Sequence, residues 1–443
     1  MLKTGAVALV LSAAVVGAGL YASQTTVAAQ AAAPAQVTFT KDVAPILQKS
    51  CQTCHRPGMM APMSLVSYQD VRPWARSIKA RVSNREMPPW FIDRHVGIQK
   101  FKNDPSLSDK EIATIVSWVD AGAPQGDPKD MPKPVDFGSL DSWHIKPDLV
   151  VKMPKPYRLK AHGADDFVDV TIDPGFTKDF FVSAIETRPI NMGGYKVIHH
   201  ATTNLIEDED DPTGAFLNEY AIGKFADVFP PESGRLIKAG SKLNFNLHLT
   251  PDGEEKDVDV QIAFTVLPKE PKYVAFTQHM GDINDLDIPA GAVVRNDGYF
   301  RLPRPALISA FQPHMHMRGK AQCMEAIYPD IRADSARPGP ARTEMLSCVS
   351  NFNFDWSVTY PYADEVAPLL PAGTIIHIIS WHDNSAANKH NPNPDTWLGN
   401  GPTSIDEMNF AWVSLTYLDQ PEFERKVRER QDLQQRTTQQ QQQ

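Results

Sequence analysis

Cysteine is scarce in this chain: Cys51, Cys54, Cys323 and Cys348 are the only four in 443 residues. A type 1 copper centre needs a Cys ligand with a nearby His. Cys323 and Cys348 have no His at short C-terminal spacing, and Cys51 and Cys54 belong to another motif. A cupredoxin-type nitrite reductase is thereby disfavoured. Positive charge is also in deficit, with a net charge of −9, which argues against nucleic acid as a partner. Glycine, at 25, is outnumbered by 37 prolines, which favours strands joined by rigid loops over a helical bundle. The length suits about three domains of roughly 150 residues each.

The N-terminus reads as a targeting segment. Lys3 is the only charge before an apolar run from about Ala6 to Leu20, and Val27-Ala28-Ala29 forms a cleavage site. This predicts a secretory signal peptide and leader over residues 1–35 and a periplasmic or secreted protein. The run from Gly5 to Ala22 is nearly long enough to span a bilayer, so membrane attachment follows only if the segment stays uncleaved. In an oxidising compartment Cys323 and Cys348 are left to pair, and a bridge there contributes roughly 3 kcal/mol.

Cys51-Gln52-Thr53-Cys54-His55 is the C-x-x-C-H signature of covalent haem c attachment. Two thiols add to the haem vinyl groups and the adjacent imidazole becomes an axial iron ligand. Val43, Ile46 and Leu47 fit one helical face before the motif, with Thr40 as cap. Ser108-Asp109-Lys110-Glu111 is a capping box, after which Ile112, Ile115, Val116 and Val119 recur with helical period until Gly122. Two helices flanking such a motif resemble the small all-α cytochrome c fold, here residues 36–125. The stretch Arg85–Trp90 looks like the loop that brings an axial methionine, which makes Met87 the choice for sixth ligand and His95 its rival.

Residues 126–150 are Pro- and Asp-rich and read as a linker. Beyond them, short β-rich runs alternate with turn residues: 167–172, 180–185, 243–249, 258–266, 292–302, 375–380 and 410–418. That pattern predicts two β-sandwich domains, 151–285 and 286–420, before a Gln-rich tail, 421–443, that is disordered or partly helical.

Histidines punctuate these runs. His314 and His316 are two apart, so in a strand both rings share a face and can meet one metal. His199 and His200 are adjacent and share a metal only at a bulge or strand end. His248 falls on the polar face of an alternating strand whose other face is Leu243, Phe245 and Leu247.

In order, His199-His200, Leu247-His248, His314-Met315-His316 with Gly319, and Thr403-Ser404-Ile405-Asp406-Glu407-Met408 resemble the copper type II, ascorbate-dependent monooxygenases, the family of peptidylglycine and dopamine β-monooxygenases. The resemblance covers roughly Val150 to Asp419. It implies two jelly-roll-like sandwiches, each with one copper. His199, His200 and His248 match the ligands of an electron-transfer copper, and His314, His316 and Met408 those of an oxygen-activating copper. Three imidazoles suit copper in both oxidation states, while two imidazoles plus a thioether favour Cu(I).

The chain also departs from that pattern. Gln312 and Trp412 stand where the peptide-amidating enzyme has an Arg and a Tyr that hold a substrate carboxylate, which weighs against peptidylglycine as substrate. His382 has no assigned role beyond supporting a ligand, and His95, His144, His162, His279, His377 and His390 read as structural or surface residues. The implied activity is hydroxylation of a C–H bond of a small organic molecule with O2. An ascorbate-like reductant or a redox protein would supply electrons by way of the haem. The competing expectation is a haem and copper electron-transfer or copper-binding protein without oxygenase activity.

Overall fold

The computed structural model describes residues 36–443, apart from residues 60, 138–141, 209, 211–213, 222, 223, 225, 282–284, 330–341 and 442–443. The signal peptide expected within 1–35 lies outside the described residues. Among those described, no helix is long and apolar enough to cross a membrane.

Most of the regular structure is antiparallel sheet, and every β-rich run expected from the sequence falls on strands. In the first sandwich, strands Asp166–Ile172, Lys242–Leu249, Ile198–Ile206 and Ala215–Ala221 form one sheet in that order. Facing it are Leu149–Lys152, Val260–Val266, Phe180–Pro189 and Ser233–Ile237. Leu243, Phe245 and Leu247, which alternate along their strand, are fully buried against Ile185 and Phe264. Alternation at period two is what puts these three on one face.

The second sandwich packs Thr343–Val349, Gly319–Ile327, Ile375–Asp383 and Val293–Arg301 against Ala306–His314, Phe410–Tyr417 and Tyr273–Gly281. Cys323 and Cys348, expected to pair, are bridged and lie opposite one another on neighbouring strands. The two sandwiches share one continuous sheet, because Tyr273–Gly281 pairs in parallel with Ser233–Ile237.

The helices before residue 125 are short. A π-turn, Phe39–Val43, leads into Ala44–Ser50, which ends at the C-x-x-C-H motif. The Ser108 capping box is present, its hydroxyl accepting from Glu111 N–H, and it starts the helix Asp109–Asp120. Phe39, Leu47, Ile115 and Trp118 form the small core of this unit. Between its helices, strand Ile92–Gly97 leaves and joins the edge of the second sandwich beside Thr343–Val349. Phe101 stacks on Tyr362 at 5.3 Å, and Phe91 N–H donates to the Tyr360 hydroxyl at 3.2 Å.

The described residues of 126–150 include a short 3-10 turn, Pro128–Asp130, and the start of strand Leu149–Lys152, and side chains fasten them to their surroundings. The Arg56 guanidinium lies over Phe137, and Arg188 covers Trp143. The Gln-rich end forms one helix, Gln420–Gln441. Glu422, Arg425 and Glu429 pair along it, and Arg430 donates to the Ala367 carbonyl. Spacings of three and four residues bring such pairs together on a helix surface, which accounts for order in so polar a sequence.

Candidate metal centres

His199, His200 and His248 converge. One ring nitrogen from each lies within 4.8 Å of the others. A bulge lets adjacent histidines do this: His248 pairs with His200 but Leu249 pairs with Ile198, leaving His199 as the extra residue. His199 and His200 thus bring their Nδ1 atoms to 3.2 Å. His248 faces His200 directly across the strands, with ring centres 5.1 Å apart.

His248 was expected on a polar face, and that face is covered. Its ring stacks on Phe167 at 4.4 Å, leaving it 2% exposed. His248 Nε2–H donates to Asp165 at 2.7 Å, while its Nδ1 is buried with no hydrogen-bond partner. An orphaned imidazole nitrogen among two others fits a metal ion, and the carboxylate behind the ring fixes tautomer and orientation. Burial lowers His199 to about 4. It lowers His200 well below the ordinary value, helped by the charges of four neighbouring histidines. Neutral imidazole is the form that binds metal.

His314 and His316 form a second pair, with ring centres 5.4 Å apart. His314 ends its strand and pairs with Phe410. The ladder ends there; His316 follows His314 by two residues, and Met408 precedes Phe410 by two. Three bonds hold these segments: Glu407 carboxylate oxygens accept from the backbone N–H groups of His316 at 2.8 Å, Arg318 at 2.6 Å and Met408 at 3.3 Å. His316 Nδ1–H donates to the Asp406 carbonyl at 3.2 Å, so its Nε2 remains for a metal. His382, without an assigned role in the sequence, is fully buried and donates from Nε2 to the Met408 carbonyl at 3.2 Å. Burial lowers His316 to about 4 and His314 well below the ordinary value, and pushes the Glu407 carboxyl up to about 7.

The face of the second sandwich that carries His314 also carries Gln312, Trp412 and His279. Phe410 stacks on His314 at 4.6 Å, and Trp412 meets Phe216 of the first sandwich at 4.3 Å. Gln312 donates to the buried Glu219 carboxylate at 2.7 Å and accepts from the Thr359 hydroxyl at 2.6 Å. An aromatic wall with one polar end therefore adjoins His314.

Cys51 and Cys54 are unbridged and half-buried. Burial pushes the Cys51 thiol up to about 12 and raises Cys54. His55 Nδ1–H donates to the Met63 carbonyl at 3.2 Å, which leaves Nε2 free. Two free thiols beside an imidazole held in this tautomer fit covalent haem. Met87 and His95, the rival sixth ligands, line one cavity of about 610 Å³ with Leu107, Ile112, Ser350 and Asn351. The motif residues do not line this cavity. Met87 and His95 line the same cavity.

Asp165 was not singled out in the sequence, and Glu407 entered only within the segment Thr403–Met408, with no role of its own. Asp165 lies 83 residues from His248, and no local pattern joins them.

No family model and no curated protein matches the chain. Among solved structures, it is similar to the VP2 subviral particle of infectious bursal disease virus, at 10% identity over 63% of this chain and 73% of that one, TM-score 0.19. It is also similar to a secreted protein from Eubacterium rectale, at 9% identity over 57% and 68%, TM-score 0.15. Likenesses this slight say nothing about function.

Proposed function

We propose that this protein is an exported copper-dependent monooxygenase that hydroxylates a C–H bond of a small organic substrate and receives electrons through a covalently attached haem c. The observation that carries the reading is the buried, unpartnered Nδ1 of His248 facing His199 and His200, with the His314 and His316 pair as a second centre. Copper in these sites would supply one-electron redox chemistry and the reduction of O2. The balance is R–H, O2, two electrons and two protons giving R–OH and water.

The chain's own residues divide the work. His199, His200 and His248 hold one ion, and Asp165 fixes the His248 ring. His314, His316 and Met408 hold the other, with Glu407 fastening both segments. Phe410, Trp412 and Phe216 make the surroundings of His314 apolar. Cys51, Cys54 and His55 attach the haem in a c-type unit built on the helices around Phe39 and Trp118. The external donor is an ascorbate-like reductant or a redox protein. The Cys323–Cys348 bridge supports an oxidising compartment, periplasmic or secreted.

The test is metal analysis followed by turnover of a small-molecule panel under 18O2. Two coppers and one haem per chain, and labelled hydroxyl in a product, are expected. Met408→Leu, a nearly volume-conserving change, should keep the triad copper and lose hydroxylation. Copper and haem bound with no oxygen incorporation would favour pure electron transfer instead. A single copper, or zinc preferred under copper excess, would sink the paired-copper reading.

A further inference from the structure

The segment from Ser350 to Thr359 belongs to neither histidine group, yet it touches both. The Phe354 ring lies 5.5 Å from the His199 ring, tilted by 30°, and 5.9 Å from the His316 ring, nearly edge-on at 73°. His199 sits in the first sandwich and His316 in the second. Phe354 thus has a ring contact with a histidine of each centre.

The loop is built to present this ring. Phe352 N–H donates to the Lys320 carbonyl at 2.8 Å, and Asp355 N–H donates to the Asn353 side chain at 3.0 Å, an Asx turn around Phe354. Thr359 holds the far end through Gln312. The near end, Ser350 and Asn351, lines the cavity that holds Met87. One short loop thus runs from the haem unit to the gap between the histidine groups.

We propose that Phe354 is the spacer between the two metal centres: a positioning residue whose ring sets their separation and keeps the intervening gap free of water. The inference rests on the copper reading above and adds what fills the space between the coppers. An aromatic ring suits the role because it is rigid, apolar and offers a face to one imidazole and an edge to the other. Truncating the ring removes the loop's contact with His199 on the first sandwich.

The experiment is pulsed dipolar spectroscopy on the full-length, haem-containing protein loaded with Cu(II), read at the copper field position away from the ferric haem signal. Wild type should give one narrow copper–copper distance. Phe354→Ala should bind two coppers with unchanged single-centre spectra but lose the narrow distance to a broad, longer distribution. Phe354→Tyr should restore it, which loss of bulk stability alone does not explain. If Phe354→Ala does not fold, Phe354→Leu, which keeps apolar bulk without a ring, decides in its place. A substituted protein with two coppers and the wild-type distribution overturns the spacer role while leaving the copper reading intact. Wild-type protein that takes fewer than two coppers overturns both.

Discussion

Asp165 and Glu407 show how much of a candidate metal site lies in residues that would not touch the metal. Removing a partner of this kind typically costs about 10–100-fold in metal affinity. Asp165→Ala should therefore weaken copper at the His199/His200/His248 centre by about that factor and leave the second centre unchanged. Glu407→Gln should do the reverse, because its amide keeps only one accepting oxygen and turns an N–H₂ toward a backbone N–H that the carboxylate now accepts. Competition with a copper chelator, read separately at the two centres, checks both. Equal weakening at both sites would mean general loosening of the fold.

Glu219 gives a pH signature of its own. Burial raises its carboxyl above the ordinary value, against the opposing effects of Lys224 and the Gln312 bond. A group whose folded pKa is raised stabilises most below its unfolded value, and that contribution is lost as pH rises through the folded value. Glu219→Gln lacks this dependence. Thermal melting of wild type should therefore fall relative to the variant as pH rises from about 4.5 upward. A difference that is flat in pH, or grows in the wild type's favour, contradicts the assignment.

At the scale of elements, the strands were the most legible part. Leu243, Phe245 and Leu247 announce their strand because alternation is a local property, and the Ser108 capping box announces its helix for the same reason. The bulge at His199 was legible as one of two alternatives, since adjacent histidines can face one ion only at a bulge or a strand end. Strand Ile92–Gly97 was not legible. It runs between helices of the haem-motif unit but pairs with Thr343–Val349, and no local pattern encodes a partner some 250 residues away.

Gly97 makes that pairing possible. Its φ is 67°, and a Cβ there would lie 2.3 Å from the Leu346 carbonyl oxygen, which accepts the Ile98 N–H. Gly97→Ala adds left-handed strain of about 1 kcal/mol and a backbone clash. It should release the edge strand. Hydrogen exchange over residues 92–98 should rise while the Lys242–Leu249 strand stays protected. Unchanged exchange at the edge would show that the strand tolerates the side chain.

For the whole molecule, three candidate centres sit on a single scaffold. The parallel pairing of Tyr273–Gly281 with Ser233–Ile237 makes the sandwiches share a sheet, and Ile92–Gly97 ties the haem-motif unit to the second of them. The sequence order of haem motif, His-His, His and His-x-His was readable. The shared sheet and the edge strand were not, because both depend on pairings between distant segments. Packed aromatic contacts such as Phe101 on Tyr362 make a fixed relation between the haem-motif unit and the second sandwich the expected state.

A fixed scaffold of this kind makes sense if electrons pass along it from haem to the His199/His200/His248 centre and on to the His314/His316/Met408 centre. Stopped-flow mixing of pre-reduced protein with O2 and substrate tests this most directly, with haem oxidation followed by its absorbance. Copper-loaded wild type should reoxidise its haem quickly, and copper-free protein or a His248→Ala variant should do so far more slowly. Equal rates in all three would show that the haem does not feed the copper centres.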